Sequence, residues 1–233
     1  MAQSWEIFSQ RFFRDGAYRA VLSGLWVTVQ IAVIGLIIGI FIGTIIAVVK
    51  VMPKYRLLPR ILDKINTVYV AFFRGTPIIV QLLIGYFVLL PQLKLNISGL
   101  WVAIIIYGMN SGAYVSEIMR SGIQAVDPGQ LEAARALGMG YPISMLKVVV
   151  PQAVKNILPT LGNEFITLIK ETSVVSFIAV VDVTKAFRQI GDSNYSYIIP
   201  YLMLALVYLI LVIGISRLVK LMERRFARNE RHG

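Results

Sequence analysis

The sequence predicts an all-α integral membrane protein, on the evidence of its composition, its long uncharged stretches and the placement of its basic residues. Of the 233 residues, 57% are hydrophobic and only 15% are charged, and the mean hydropathy is +0.73. Soluble domains are about 45–50% apolar and about 25% charged. This composition disfavours a soluble enzyme, a disordered chain or a collagen-like repeat.

Five stretches are long enough to cross the roughly 30 Å hydrocarbon core, which takes about 20 apolar residues. Three of them follow from segments without any charge, residues 20–49, 95–116 and 193–216. Two others carry charged side chains that must be kept away from lipid, because a charge at the helix centre costs about 2.5–3.5 kcal/mol. The predicted spans are residues 22–49, 65–90, 95–118, 156–181 and 194–217.

The basic residues predict the orientation, since cytoplasmic loops are enriched in Lys and Arg. Segments 50–64, 120–155 and 217–231 hold five, four and six of them, whereas the opposite side holds six in all. The N-terminus is therefore expected outside and the C-terminus in the cytoplasm. The predicted parts are an extracytoplasmic segment 1–20, a transmembrane domain 21–220 with a cytoplasmic segment 121–155, and a basic cytoplasmic tail 221–233.

Several kinds of chemistry are not expected of this chain. It has no cysteine, and its one histidine is His232, so thiol, disulfide and histidine-based metal or catalytic sites are implausible. It contains no phosphate-binding Gly-x-x-x-x-Gly-Lys-[Ser/Thr] loop, and neither a Gly-x-Ser-x-Gly nor a His-Glu-x-x-His motif. The net charge of +11 is better explained by loops that face anionic membrane lipid than by nucleic acid.

The cytoplasmic segment 121–155 contains a predicted helix of about ten residues. Asp127 is a suitable N-cap, Pro128 suits the first helical position, and Gln130 stands where a capping box requires it. Residues 131–137 are strong helix formers, and Gly138 provides the left-handed residue that ends a helix. Such a helix is too short and too polar to span a membrane.

The same segment carries a spaced motif. Glu132-Ala133-Ala134 is followed by Gly138, and then by a Val-x-Val-Pro sequence that ends at Pro151. This pattern resembles the EAA loop of bacterial ABC importer permeases, with valine at both aliphatic positions. The resemblance implies that these residues couple the chain to an ATPase, although an ordinary amphipathic connector is the alternative reading of the segment.

Two further motifs resemble those of the polar amino-acid permeases, of the histidine and glutamine type. They are Phe73–Gln81 in the second span and Gly162–Ser173 in the fourth. The resemblance implies the type I ABC importer transmembrane fold and a non-catalytic permease subunit that binds no cofactor itself. It also implies three kinds of partner: a second permease chain, identical or paralogous; two ATPase subunits that bind ATP and Mg; and an extracytoplasmic amino-acid-binding protein.

The charged spans have polar faces that suit a solute path. Thr160, Glu164, Thr167 and Glu171 share one predicted helix face, opposite Leu161 and Leu168. Pro77 is expected to break the second span just after Arg74 and to free carbonyls, with Gln81 on the same face as Arg74. The candidate substrate residues are Arg74, Thr76, Gln81, Asn110, Tyr114, Asn163, Glu164 and Thr167.

A zwitterionic amino acid would match two of these side chains, because Arg74 offers a fork for a carboxylate and Glu164 can pair with an ammonium group. Two alternatives remain open. These charges could pair structurally with one another, with Lys170 and Glu171 or across a dimer, and Tyr114 and Glu117 could form a gate.

The predicted function is import of an amino acid, polar or charged, by alternating access. Three other functions remain as alternatives: an ABC permease for another small solute, a secondary transporter or channel, and a non-transporting scaffold. Gly35, Gly39 and Gly43, spaced four apart in the first span, are expected to serve helix packing rather than permeation.

Overall fold

The computed structural model describes residues 2–52, 57–193 and 195–228, and all the regular structure in these ranges is helical. The helices are α1 (Ala2–Ser9), α2 (Ala17–Val51), α3 (Leu57–Gly75), α4 (Ile78–Leu83), α5 (Leu90–Gln92), α6 (Gly99–Gln124), α7 (Pro128–Ala136), α8 (Tyr141–Ser144), α9 (Val150–Glu171), α10 (Val183–Asp192) and α11 (Ile198–Arg228). π-Helical turns occupy Gln10–Arg14, Ile84–Leu89 and Met145–Val149, and a 3₁₀ helix occupies Thr172–Ile178. His232 and the end of the predicted basic tail lie outside the described residues.

Three described helices are long and apolar enough to cross a membrane: Ala17–Val51, Gly99–Gln124 and Ile198–Met222. They coincide with the predicted first, third and fifth spans, apart from their ends. α6 begins at Gly99, four residues later than predicted for the third span, and α11 begins at Ile198 rather than at 194. A fourth crossing is possible if a bent helix pair forms one span.

The break expected at Pro77 in the predicted second span, 65–90, is present, although the helix before the break begins earlier than predicted, at Leu57. α3 ends at Gly75, and the helical stretch Ile78–Gln92 continues at an angle of 106° to it. Pro77 is extended (φ −63°, ψ 139°) and stands at the N-cap of α4. Proline has no N–H to donate to the helix and disfavours helical geometry at the residue before it. The bend follows from this break.

The predicted fourth span, 156–181, also differs from the structure. α9 runs from Val150 to Glu171, tightens into the 3₁₀ helix Thr172–Ile178, and ends at Ala179 in the left-handed region (φ 63°). The helix therefore begins six residues earlier than expected and ends well before 181. Its polar and charged side chains keep α9 out of the set of helices that qualify as spans by hydropathy.

Small residues hold α2 against α6, as the four-residue glycine spacing predicts. A Cβ atom at Gly39 would lie 2.6 Å from Ser111 Oγ, and one at Gly43 would lie 2.7 Å from the Val115 side chain. In the other direction, the backbone of α6 at Gly108 is covered by Ile38. Close approach of the two backbones maximises van der Waals contact where the hydrophobic effect cannot act between helices. The α2–α6 pair thus forms the centre of the bundle.

Candidate functional site

The break between α3 and α4 exposes backbone carbonyls that two buried amide side chains satisfy. Gln81 Nε2 donates to the carbonyl oxygens of Phe73 (2.9 Å) and Thr76 (3.0 Å), and to Thr76 Oγ1 (2.9 Å). Asn110 Nδ2 on α6 donates to the same Phe73 carbonyl and to Gln81 Oε1, each at 3.1 Å. Because unpaired buried carbonyls are costly, this network fixes the bend and ties it to α6. It also brings the predicted residues Thr76, Gln81 and Asn110 together.

The carboxylate of Glu164 lies next to this network, on the inner side of α9. The residue is 9% exposed, and its Oε1 accepts a hydrogen bond of 3.1 Å from Ser111 Oγ on α6. Ser111 directly follows Asn110 in the sequence. Among the described residues, Glu164 forms no ion pair with Arg74 or Lys170. Its carboxylate is thus held by a neutral donor and is not neutralised by a structural cation.

Arg74 stands at the end of α3 as an exposed cation. Its guanidinium carbon lies 5.3 Å from the centroid of the Tyr114 ring, a cation–π arrangement. Within the described ranges it has no carboxylate partner. Arg74 is therefore oriented by an aromatic face while its planar donor fork stays available to an anion.

The expected polar face of α9 divides in two. Glu164 is buried against α6, whereas Asn163 and Thr167 are exposed and form no side-chain hydrogen bond with other described residues. The residues predicted to share one helix face therefore differ in burial: Glu164 is covered by α6, whereas Thr160 and Thr167 are exposed. The exposed polar side chains of α9 instead form a stripe at helical spacing: Asn156, Thr160, Asn163, Thr167 and Lys170. Similarly, Gln81 does not share a helix face with Arg74, because the bend at Pro77 separates them.

Segment 121–155, predicted to be cytoplasmic, contains the predicted short helix, α7. Asp127 is its N-cap, with Oδ1 accepting from the Gly129 N–H at 2.8 Å. The predicted capping box is wrong, because the Gln130 side chain instead accepts a hydrogen bond of 3.2 Å from Gln152 in the first turn of α9. The Gln130 amide thereby joins α7 to α9 and does not close the first turn of α7.

The C-terminal end of α7 is closed by a left-handed glycine, as predicted. Gly138 has φ +83°, its N–H donates to the Arg135 carbonyl at 3.0 Å, and the Met139 N–H donates to the Ala134 carbonyl at 3.2 Å. These two bonds make up a Schellman motif. α7 is therefore defined at both ends and can move as a rigid unit.

The spaced motif residues have distinct positions on this unit. Ala134 is 4% exposed and faces inward, towards the packing of α7 on α8 and the turn Met145–Val149. Glu132 and Ala133 are exposed, and Glu132 forms no hydrogen bond or ion pair with another described residue. Pro151 is exposed in the first turn of α9. Glu132 and Ala133 thus form an exposed surface that is available to dock in a groove of a partner protein.

Two links at the C-terminal end of α2 are not predicted by the sequence analysis. Lys50 Nζ is paired with Glu117 of α6, whose other carboxylate oxygen accepts from Arg120 at 2.9 and 3.0 Å. The Tyr141 hydroxyl of α8 donates to the Val51 carbonyl at 3.0 Å. The first link had a sequence signal, because Lys50 and Glu117 carry opposite charges and directly follow the charge-free stretches 20–49 and 95–116, whose ends are predicted to lie on the same side of the membrane. The second had none, since any exposed tyrosine could have served.

A model of the family described as binding-protein-dependent transport system inner membrane component matches residues 35–228, most of the chain. The arginine transport system permease protein ArtQ of Bacillus subtilis (strain 168) is 40% identical over 210 residues, which cover 90% of this chain and 94% of the relative. The putative glutamine transport system permease protein GlnP of Rickettsia prowazekii (strain Madrid E) is 37% identical over 209 residues, with coverage of 90% and 94%.

A solved structure resembles the whole bundle. The crystal structure of an amino acid ABC transporter with histidines aligns with a TM-score of 0.82 at 40% sequence identity. The alignment covers 89% of this chain and 94% of the other. The order and the packing of the helices described above are therefore those of an ABC transporter's membrane domain.

Proposed function

The chain belongs to the family of binding-protein-dependent transport system inner membrane components, and we propose that it carries a polar or charged amino acid through its bundle. It is the permease subunit of an amino-acid ABC importer. It does not hydrolyse ATP, which is the task of a separate ATPase subunit in this family. The choice of a polar or charged substrate is supported by one observation above all: Glu164 and Arg74 offer opposite charges that are not neutralised by other described residues.

The proposed topology retains five crossings in a bacterial cytoplasmic membrane. The bent pair α3–α4 and the polar helix α9 would add two crossings to the three apolar helices. Residues 1–20 would then lie outside, and segment 121–155 and the tail 221–233 would lie in the cytoplasm, in agreement with the excess of Lys and Arg there. α9 can cross because a neighbouring permease chain would cover its exposed polar stripe.

The topology is testable because the chain contains no cysteine. Single cysteines at Asn96 and Gln130 occupy exposed positions in the loop before α6 and on α7. An impermeant maleimide applied to intact cells is expected to label position 96 and to spare position 130 until the cells are permeabilised. Labelling of position 130 in intact cells would reverse the proposed orientation.

The family works with an ATPase, a binding protein and a permease partner. We propose two ATPase subunits, which bind ATP and Mg, and a pair of permease chains that are identical or paralogous. This chain would bind no cofactor. Loaded binding protein would dock outside, ATP would close the two ATPases, and that closure would reach the bundle through α7, whose capped ends keep it rigid.

In the proposed substrate site, Arg74 binds the carboxylate of the amino acid and Glu164 its ammonium group or cationic side chain. Thr76, Gln81 and Asn110 hold the helix break in shape, and Tyr114 orients Arg74. Asn163 and Thr167 line the exposed edge of α9. A site at a broken helix near the middle of the bundle is where transporters commonly bind solutes.

Glu164→Gln tests this assignment. Glutamine keeps the size and can still accept the hydrogen bond from Ser111, so the complex should keep its melting temperature. Uptake of arginine or histidine into reconstituted vesicles is expected to fall tenfold or more, a loss of about 1.4 kcal/mol or greater. A neutral substrate would be affected less, because no cationic side chain would lose its partner.

Glu171→Gln is the matched control, since it removes a carboxylate seven residues further along α9 that forms no hydrogen bond or ion pair with another described residue. Uptake by the Glu171→Gln variant should stay near the wild-type value. Uptake unchanged by Glu164→Gln, or a large loss of thermal stability, would exclude Glu164 as a substrate ligand; the latter is typical of a broken structural pair.

A further inference from the structure

We propose that the N-terminal reversal of the chain is a binding site for one anionic phospholipid, separate from the solute path. α1 and the π-helical turn Gln10–Arg14 reverse onto the first turns of α2 at Gly16, which is left-handed (φ +77°). Phe8 is 3% exposed and packs in one cluster with Val21 and with Phe187 of α10. The reversal is therefore a fixed part of the bundle and can form a built site.

An open apolar cavity of about 340 Å³ lies between the turn and α2. It is lined by Phe12, Phe13, Tyr18, Val21 and Leu22. All five side chains are aromatic or aliphatic, and the tyrosine hydroxyl is the one polar side-chain group among them. Such a cavity suits a hydrocarbon chain and offers too few hydrogen-bonding groups to hold a polar solute.

Two arginines without an acidic partner among the described residues adjoin the lining residues in the sequence: Arg14 directly follows Phe13, and Arg19 directly follows Tyr18. Arg11 is paired with Asp15 at 2.9 Å, whereas Arg14 and Arg19 are exposed and form no ion pair with other described residues. The guanidinium carbon of Arg19 lies 5.8 Å from the ring centroid of Tyr18, which lines the cavity. Guanidinium groups bind phosphate oxygens through paired, charge-assisted hydrogen bonds. The apolar lining and the two adjoining arginines together match the chain and the phosphate of a single lipid.

The surroundings place the cavity at the edge of the membrane. It lies at the start of α2, a helix that is apolar enough to span the bilayer. Leu22 and Trp26 are one helical turn apart on α2 and are 60% and 62% exposed, and Trp5 on α1 is 50% exposed. Tryptophan and tyrosine concentrate at the level of the lipid headgroups. At this depth the acyl chain would enter the cavity from the bilayer while the headgroup meets Arg14 and Arg19.

The assembled transporter in detergent micelles, supplemented with equal amounts of phosphatidylglycerol and phosphatidylcholine of the same acyl chains, provides the test. Native mass spectrometry then counts the lipids retained on the wild-type complex and on a complex with Arg14→Gln and Arg19→Gln. Two exposed charge pairs should favour the anionic lipid by about two- to thirtyfold, and the double variant should lose most of that preference. Arg188→Gln, which removes an exposed arginine of α10 that does not line the cavity and is paired with Asp192, is the control for the loss of a surface arginine elsewhere and should keep the preference.

Glycerol 3-phosphate, added in excess, separates a lipid site from a site for a free phosphate. It carries the headgroup chemistry without acyl chains, so it should not displace the retained phosphatidylglycerol. The proposal is overturned if glycerol 3-phosphate competes, if the wild type retains both lipids equally, or if the double variant and the wild type show the same preference.

Discussion

Gly138 ends α7 in a conformation that most residues avoid, and replacing it should loosen the coupling of ATP hydrolysis to transport. Its φ of +83° lies in the left-handed region, and no atom of a described residue other than its two chain neighbours lies within 4 Å of where a Cβ would be. The cost of Gly138→Ala within this chain is therefore backbone strain and not a steric clash. For a residue with a Cβ that strain is about 1–2 kcal/mol, which raises the open fraction of the cap by about 5- to 30-fold.

Gly138→Asn separates backbone strain from crowding. Asparagine is larger than alanine but tolerates the left-handed region better, so strain predicts a milder effect for asparagine and crowding against a partner predicts a stronger one. Hydrogen exchange of the amides at positions 138 and 139, which donate to the Arg135 and Ala134 carbonyls, reports the opening directly. Stimulation of the ATPase by loaded binding protein reports the coupling.

We expect both readouts to rank wild type, then Asn, then Ala, with uptake per ATP falling in the same order and membrane insertion unchanged. Alanine that behaves like wild type in hydrogen exchange would refute the strain argument. Asparagine that is worse than alanine in coupling alone would shift the explanation to contact with the ATPase.

Two further substitutions probe the scaffold. Gly39→Ala would bring a Cβ within 2.6 Å of Ser111 Oγ, and we expect this overpacking to destabilise the complex by about 1–3 kcal/mol. The control is Gly214→Ala on α11, where an added Cβ meets no neighbouring atom of the described residues within 4 Å, so the melting temperature should stay unchanged or rise. Equal melting temperatures of the two variants would contradict the close packing of α2 on α6. Tyr141→Phe removes the hydrogen bond to the end of α2. It should lower the stimulated ATPase activity and the uptake several-fold while the basal ATPase activity is retained. The control is Tyr86→Phe, which removes a hydroxyl without a hydrogen bond to other described residues and should match the wild type in both assays.

The sequence predicts those features that depend on local physics. Three apolar spans follow from charge-free stretches, because hydropathy alone decides whether such a stretch enters a membrane. The left-handed Gly138 and the N-cap Asp127 follow from the requirements of a helix's last and first turns. The glycine contacts between α2 and α6 follow from their four-residue spacing.

The features that the sequence does not predict depend on which helices become neighbours. Pro77 indicates a break in the helix, but the angle of 106° is fixed by the amides of Gln81 and Asn110, 29 residues apart in the sequence. A helical wheel does not show that Glu164 packs inward against Ser111. It also does not show that the Gln130 side chain bonds to Gln152 of α9 instead of to the backbone of α7. In each case several hydrogen-bond partners of similar strength are available to a polar side chain, and the tertiary packing determines which of them it contacts.

The contacts at the C-terminal end of α2 explain how a movement of α7 would reach the middle of the bundle. Tyr141 binds the carbonyl of Val51, and Lys50, one residue earlier, is paired with Glu117 of α6. α8, α2 and α6 are thus joined at the C-terminal end of α2. Further towards the middle of α2, the close contacts of its glycines with α6 leave the two helices no room to slide independently. A displacement of α8 must then move α6 as well, and α6 carries Ser111, the residue that holds the buried carboxylate of α9. The proposed coupling segment and the candidate substrate site are therefore connected through packed helices.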